Sequence, residues 1–331
     1  MFKSIYQRVG LSLVAAALTT SVAYAQDDKE INFGIISTES SQNLRQVWEP
    51  FLEDMSKKTG YKVKAFFAPD YAGIIQGMRF DKVDIAWYGN KSAMEAVDRA
   101  NGEVIFQSVD KDGKPGYWSL LIAHKDSPIN NLDEMLAQAK NLNFGNGDPN
   151  STSGYLVPGY YVFAQNNVDP NKIFKRAVNG SHEVNALSVA NKQLDVATNN
   201  TESVDRLKRT NPEKAALIKE IWRSPLIPAD PIVWRKNLPE DVKIKFNEFF
   251  TTYGDKPEEL AVLNNLDWGK FKVSSNDQLL PIRQLELFKK RNQLVNDAKL
   301  SDADKQAQLQ ALDADLDKLV ARMKELEAKK S

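Results

Sequence analysis

Apolar residues along this chain follow two alternating rhythms. Short runs at 31–37, 63–68, 83–88 and 104–109 have the length and the β-branched or aromatic content of strands. Between them, apolar positions recur at spacings of three, four and seven, as in Trp48, Phe51, Leu52 and Met55, which places them on one helix face. Helices are predicted in the same way over 71–80 and 92–100. After a polar Gly/Pro loop at 110–116 the alternation repeats. Strands are predicted over 117–123, 142–145, 173–178, 194–198 and 218–222, and helices over 132–139, from the 151–154 stretch onward, 181–192 and 202–209. The pattern is that of a doubly wound α/β protein.

Residues 224–231 carry Pro225, Pro228 and Pro231, too many for a helix interior. The chain is predicted to cross back there, followed by a strand at 232–234 and helices over 239–253 and 257–266. The expected organisation is therefore a first lobe from 26–116 with 232–290, and a second lobe from 117–231 that includes both crossings.

The two ends read differently. Lys3 and Arg8 precede a short apolar stretch, Leu11 to Leu18, and Ala23-Tyr24-Ala25 offers the small-residue pattern of a signal-peptidase site. Export with cleavage after Ala25 is expected, because the apolar run falls short of the ~20 residues of a membrane span. At the other end, 291–331 forms a helical extension. Leu309, Leu312, Leu316, Leu319, Met323 and Leu326 keep a three-four rhythm, and Ser301 with Asp304 can start the helix. Under three heptads long, the stripe suits either docking on its own body or pairing with a second copy in a homodimer.

Composition removes several classes of function. Lys plus Arg equals Asp plus Glu at 44 each, so net charge gives no reason to expect nucleic acid or an anionic membrane as partner. There is no cysteine, hence no disulfide and no thiol chemistry, and two histidines argue against a histidine-rich metal centre. No cofactor or metal is expected.

The most informative stretch is 143–154, Asn-Phe-Gly-Asn-Gly-Asp-Pro-Asn-Ser-Thr-Ser-Gly. A strand ends, a Gly/Asn/Pro turn follows, and Ser151, Thr152 and Ser153 open a helix. The first turn of a helix has N–H groups without intrahelical partners and a positive dipole end; three hydroxyls beside it can surround a tetrahedral oxyanion with donors. Ordinary capping would need only one serine. No Lys follows as in a nucleotide P-loop. Pro158 falls inside the predicted helix and is expected to kink it. Five further residues stand where element ends would face a cleft: Tyr71, Tyr117, His182, Glu202 and Asp230. Read alone, each has an ordinary structural explanation in packing, surface exposure or dipole complement. His124, ending a strand, is read as structural.

The segments FGIISTES (33–40), AFFAPDYAGIIQGMRF (65–80), VDIAWYGN (83–90), GYWSLLI (116–122), FGNGDPNSTSGYLVPGYY (144–161), DVATNNTE (195–202) and PLIPADPIVWRKNL (225–238) closely resemble the phosphonate-binding periplasmic proteins, the PhnD family. These are the substrate-binding components of phosphonate ABC importers. The likeness runs from Ile31 to about Phe288. It implies a type II periplasmic-binding-protein fold, two α/β lobes joined by two crossover segments with the ligand closed between them, and a periplasmic location. It also implies roles. Ser151, Thr152, Ser153, His182 and Tyr71 match the residues that bind phosphonate oxygens. Tyr117, Glu202 and Asp230 match those around the amino group of 2-aminoethylphosphonate. Ala229, before the acid, is the one departure.

Physical chemistry agrees with that division. An aminoalkylphosphonate is a zwitterion whose ends need opposite surroundings, donors for the anion and carboxylates with an aromatic face for the ammonium. The reading is a receptor that captures phosphonates, 2-aminoethylphosphonate among them, and delivers them to an ABC permease. Alternatives are a receptor for another phosphorus oxyanion or a sensor subunit. A periplasmic phosphonate or phosphate-ester hydrolase stands last, since the chain offers no Cys and no dense His/Asp cluster.

Overall fold

The computed structural model describes residues 30–297 and 299–329; the expected signal peptide and its cleavage position lie outside the described residues. The first part of the chain runs β1 (Glu30–Ile35), α1 (Ser41–Thr59), β2 (Lys62–Phe67), α2 (Tyr71–Arg79), β3 (Ile85–Trp87), α3 (Asn90–Arg99) and β4 (Gly102–Gln107). The middle runs β5 (Gly116–Tyr117), β6 (Ser119–His124), α4 (Leu132–Gln138), β7 (Asn143–Asn146), a wide helix through 152–164, α5 (Pro170–Ile173), β8 (Arg176–Asn179), α6 (His182–Ala190), β9 (Val196–Asn200), α7 (Thr201–Thr210), α8 (Pro212–Ala215) and β10 (Ile218–Arg223). The last part comprises β11 (Ile227–Pro228), β12 (Pro231–Arg235), α9 (Glu240–Thr252), α10 (Pro257–Asn265), β13 (Lys272–Val273), α11 (Leu280–Val295) and α12 (Asp302–Ala328).

Two sheets result. The first has the order β13-β4-β12-β3-β1-β2, with β1 parallel to β2 and β3 while β12 enters antiparallel between β3 and β4. The second has the order β10-β6-β9-β7-β8, its parallel part being β9-β7-β8. The segments that pass between them pair with each other: β5 and β11 set Tyr117 against Ile227 and Gly116 against Pro228. At Gly116 a Cβ would sit 2.0 Å from the Ile227 carbonyl oxygen, so only glycine lets the two crossings approach this closely. This pairing also explains why the single strand expected over 117–123 is broken. Tyr117 belongs to the crossing, whereas Ser119 onward pairs with β9.

The core under the first sheet is aromatic and draws on both ends of the chain. Phe51 of α1 packs against Phe249 and Tyr253 near the end of α9 and against Phe271, with ring centroids 5.3–5.9 Å apart. Trp48 packs at 5.4 Å from Trp87 and 5.2 Å from Trp268. Burying side chains of this size contributes at least ~2–3 kcal/mol each, so the late helices hold the early ones in place. Trp87 and Trp268 also line the central cavity, which makes this core its floor.

The α12 helix begins as its sequence suggested, with the Ser301 hydroxyl accepting from the Asp304 amide. Its stripe turns inward: Leu316 and Leu319 are buried, α12 lies along α11, and Arg291–Asp313 and Arg322–Asp277 pairs, each at 2.8 Å, flank it. The sequence pattern assigns no element to 280–290, where most of α11 lies. Its buried positions Ile282, Leu285 and Leu294 are interleaved with charged residues, which weakens the periodic signal. With the stripe occupied inside the chain, sedimentation should return the mass of one copy. Truncation after Lys299 should lower it only by the segment removed; a two-copy mass that halves on truncation would instead assign the stripe to a dimer.

Candidate ligand-binding site

Several helices begin at one cavity between the sheets. Its lining includes Tyr71, Trp87, Gly89, Tyr117, Ser151, Thr152, Ser153, His182, Asn200, Glu202 and Asp230. Tyr71 opens α2, Gly89 precedes α3, Ser151 caps the wide helix, His182 opens α6 and Asn200 caps α7. The doubly wound pattern produces this, since strands run toward the cleft and helices start there. All eight residues singled out from the sequence therefore meet in one place, at the cleft between the two sheets.

The three consecutive hydroxyls are each already acceptors. The Gly154 amide donates to Ser151 Oγ at 3.0 Å, the Lys91 amide to Thr152 Oγ1 at 2.8 Å, and Asn200 Nδ2 to Ser153 Oγ at 3.0 Å. A hydroxyl that accepts from the protein has its own proton left to give. Beside them lies His182, buried, with Nε2 3.5 Å from Ser151 Oγ and 3.3 Å from Asn200 Nδ2. Burial lowers its pKa to about 4, so the ring is neutral near pH 7. Tyr71 is buried too, and desolvation, reinforced by the negative charge of Asp148, raises its pKa and keeps the phenol protonated.

The helix does not break at Pro158. The chain continues through it in two π-type segments, Thr152–Leu156 and Gly159–Ala164, with Leu156 N donating to Ser151 O and Gln165 N to Tyr160 O. Proline has no N–H to offer the carbonyls four and five residues back. Those carbonyls, Gly154 O and Ser153 O, accept from Gly147 N at 2.9 Å and Ser119 Oγ at 2.6 Å. Pro158 thus leaves free the acceptors by which the hydroxyl run is tied to its own turn and to β6. Wide turns of this kind recur at functional sites.

The cavity also has an acidic part to its lining. Tyr117 donates to Asp230 Oδ1 at 2.9 Å, and Glu202 stands nearby at the start of α7. Burial of the Glu202 carboxyl pushes its pKa up to about 7, with Arg206 opposing. Asp230 is held well above the ordinary carboxylate range by burial first and the charge of Glu202 second. Two carboxyls in one dry place resist ionising together unless a cation joins them.

Contacts also run across the cleft. Glu183, next to His182, donates its amide to Thr38 O at 3.2 Å; its carboxylate accepts from Ser40 N at 2.8 Å and Asn43 Nδ2 at 2.6 Å. It thereby sits at the N-terminus of α1, on the other sheet's side. Arg206 Nη1 is 3.0 Å from Glu39 Oε1 without hydrogen-bond alignment. Several buried polar atoms without a hydrogen-bond partner belong to residues lining this cavity: Thr38 Oγ1, His182 Nδ1 and Arg206 Nε. Buried polar atoms are costly unpaired, and their concentration here marks where a polar ligand belongs.

Sequence reasoning missed Asn200, Glu183, Arg206 and the α3 N-terminus. Arg206 lies four residues after Glu202 on α7, a spacing that puts both on one helix face and could have flagged it. The Lys91 contribution is a backbone amide and leaves no side-chain signature.

Comparison with known proteins bears directly on this site. The family model for the periplasmic phosphonate substrate-binding protein of ABC transporters matches residues 33–279. The chain belongs to that family. This phosphonate-binding family member is 62% identical over 309 residues to the phosphonates-binding periplasmic protein of Escherichia coli strain K12, covering 93% of this chain and 91% of that one. It superposes with a TM-score of 0.90 and 68% identity on the binding component of an ABC phosphonate transporter from Pseudomonas aeruginosa, covering 91% of this chain and all of that one. A Prochlorococcus marinus protein in complex with methylphosphonate aligns with a TM-score of 0.69 over 78% of this chain and 97% of its own; at 22% identity it speaks to the fold alone. The neighbours are periplasmic binding proteins of the type II fold, as the sequence resemblance implied.

The shifted carboxyl gives the ligand-free phosphonate-binding protein a pH signature. Glu202 has a folded pKa of about 7 against 4.5 without the fold. Being raised, its contribution to stability is present below about pH 4.5 and is lost as pH rises through about 7. Chemical denaturation of wild type and Glu202→Gln between these limits should show the wild type losing stability relative to the variant. Parallel profiles would mean that the carboxyl is not held in a dry site.

Proposed function

We propose that this periplasmic protein captures 2-aminoethylphosphonate and related alkylphosphonates and delivers them to an ABC importer, closing its two lobes over the ligand. The observation that carries the reading is that one cavity is lined both by hydroxyl and ring donors and by two buried carboxyls. Ser151, Thr152, Ser153, His182 and Tyr71 bring hydrogen-bond donors to it; Glu202 and Asp230, with the Tyr117 ring, bring two carboxyls. An ammonium between the carboxyls would let both ionise, and the alkyl linker of an aminophosphonate spans to the donors. Family membership supports a phosphonate and an importer.

A second reading has some support from relatives. A probable phosphite-binding protein of Prochlorococcus marinus is 26% identical over 87% of this chain, and a phosphate-import protein of Mycolicibacterium smegmatis 30% identical over 60%. Phosphite and phosphate would use the donor end and leave the buried carboxyls unmatched, which favours the amine-bearing ligand. Hydrolysis is disfavoured on geometry. Ser151 and His182 are within reach of each other, yet His182 Nδ1 has no acidic partner to orient the ring as a base.

Calorimetric titration of Glu202→Gln and Asp230→Asn should show 2-aminoethylphosphonate binding weakened by about 10- to 100-fold, as expected for losing a charged hydrogen bond. Methylphosphonate binding should change by less than about threefold, a few tenths of a kcal/mol. Equal losses for both ligands would remove the ammonium assignment. Glu183→Gln, which weakens the cross-cleft grip on α1, should lower affinity for every ligand by a similar factor with faster dissociation. Unchanged dissociation rates would show that this contact plays no part in holding the lobes together.

A further inference from the structure

We propose that the anion end reads its ligand only as a hydrogen-bond acceptor, and that the site therefore takes aminoalkylsulfonates as a second ligand class. This rests on the aminophosphonate reading above and extends it. Near neutral pH a phosphonate exchanges a proton on one of its oxygens, whereas a sulfonate carries none. A site can enforce that difference with a carboxylate, because a carboxylate facing an unprotonated ligand oxygen sets acceptor against acceptor. The barrier is expensive when the groups are dry.

No carboxylate is hydrogen-bonded to the hydroxyl run among the described residues. Asp148 is the nearest carboxylate in sequence. Its Oδ1 accepts from the Asn150 amide at 2.7 Å and its Oδ2 from the Tyr71 amide at 3.2 Å, and it does not line the cavity. Asn200 presents its Nδ2 to this end because its Oδ1 accepts from the Ser203 amide at 2.7 Å as the cap of α7. Ser151, Thr152 and Ser153 each accept from the protein and keep a proton to give. The Tyr71 phenol lies against the Ser151 hydroxyl, so these two share a hydrogen bond and leave one proton between them for a ligand. Charge points the same way. Arg206 is the cation of the lining, and it stands against Glu39 and beside Glu202; Lys91 turns its ammonium to Glu95 at 3.3 Å, and the histidine is neutral. Nothing here demands a second negative charge, so a singly charged oxyanion of the same shape satisfies the donors. At the other end Glu202 and Asp230 meet the same ammonium in either ligand.

Sulfonate oxygens are weaker acceptors than phosphonate oxygens, so the second class should bind less tightly. Titration of the mature protein with 2-aminoethanesulfonate, followed by calorimetry and tryptophan fluorescence, should give saturable binding about 10- to 1000-fold weaker than 2-aminoethylphosphonate. The phosphonate should displace it, and Glu202→Gln should lower its affinity about tenfold or more. Absence of signal and of competition at about 10 mM sulfonate, while 2-aminoethylphosphonate binds, would overturn this inference and leave the aminophosphonate reading standing. Should 2-aminoethylphosphonate itself fail to bind while methylphosphonate binds, the earlier reading falls. Methanesulfonate against methylphosphonate then decides the acceptor-only claim alone: binding supports it and none at the same concentration refutes it.

Discussion

A zwitterion can be held away from water only if each end meets its own kind of partner, and in the function proposed above the rest of this molecule serves that constraint. Desolvating an ion costs several kcal/mol unless hydrogen bonds and opposite charge replace the water. The protein supplies the replacements from separate elements. Donors come from the first turns of helices, where amides and capping hydroxyls are free by geometry. Acceptors come from the return crossing and the start of α7. Neither set is large, and neither would be stable alone. The hydroxyl run is braced by Gly147, Lys91, Ser119 and Asn200, and Asp230 by Tyr117 and by Ser108, which donates to its carbonyl.

That bracing gives the architecture its purpose. Two sheets whose parallel strands point into one cleft bring helix starts from both sides to face each other. The paired crossings β5 and β11 place Tyr117 close to Asp230, and Gly116 is the residue that permits their contact. Contacts such as Glu183 with α1 and Thr152 with α3 join the two sides around the cavity. In the proposed function, binding and closure would be linked through neighbours in sequence: His182 lines the cavity, and Glu183 holds the N-terminus of α1 across it.

Much of this was legible in the sequence, for identifiable reasons. Period-two and period-3.6 patterning revealed most strands and helices, and the three-hydroxyl run stood out because capping needs only one. Other features left no such mark. The strand at 117–123 is broken by a pairing between residues about 110 apart, which no local pattern reports. Glu183 looks locally like a complement to its own helix dipole, yet its partners lie on α1. The Lys91 amide acts through the backbone. Pro158 suggested a kink because a helix with i→i−4 bonds cannot absorb it; i→i−5 turns can, and they hand two carbonyls to Ser119 and Gly147. Arg206 was within reach of a spacing argument from Glu202.

The central claim is that the ligand's ammonium is what allows Glu202 and Asp230 to be charged together. Proton release on binding, measured by calorimetry near neutral pH in buffers of different ionisation enthalpy, tests it most directly. With 2-aminoethylphosphonate the buried pair should give up a proton in excess of any released with methylphosphonate, whose phosphonate group titrates in the same range but brings no ammonium. Equal proton release for the two ligands would contradict the account.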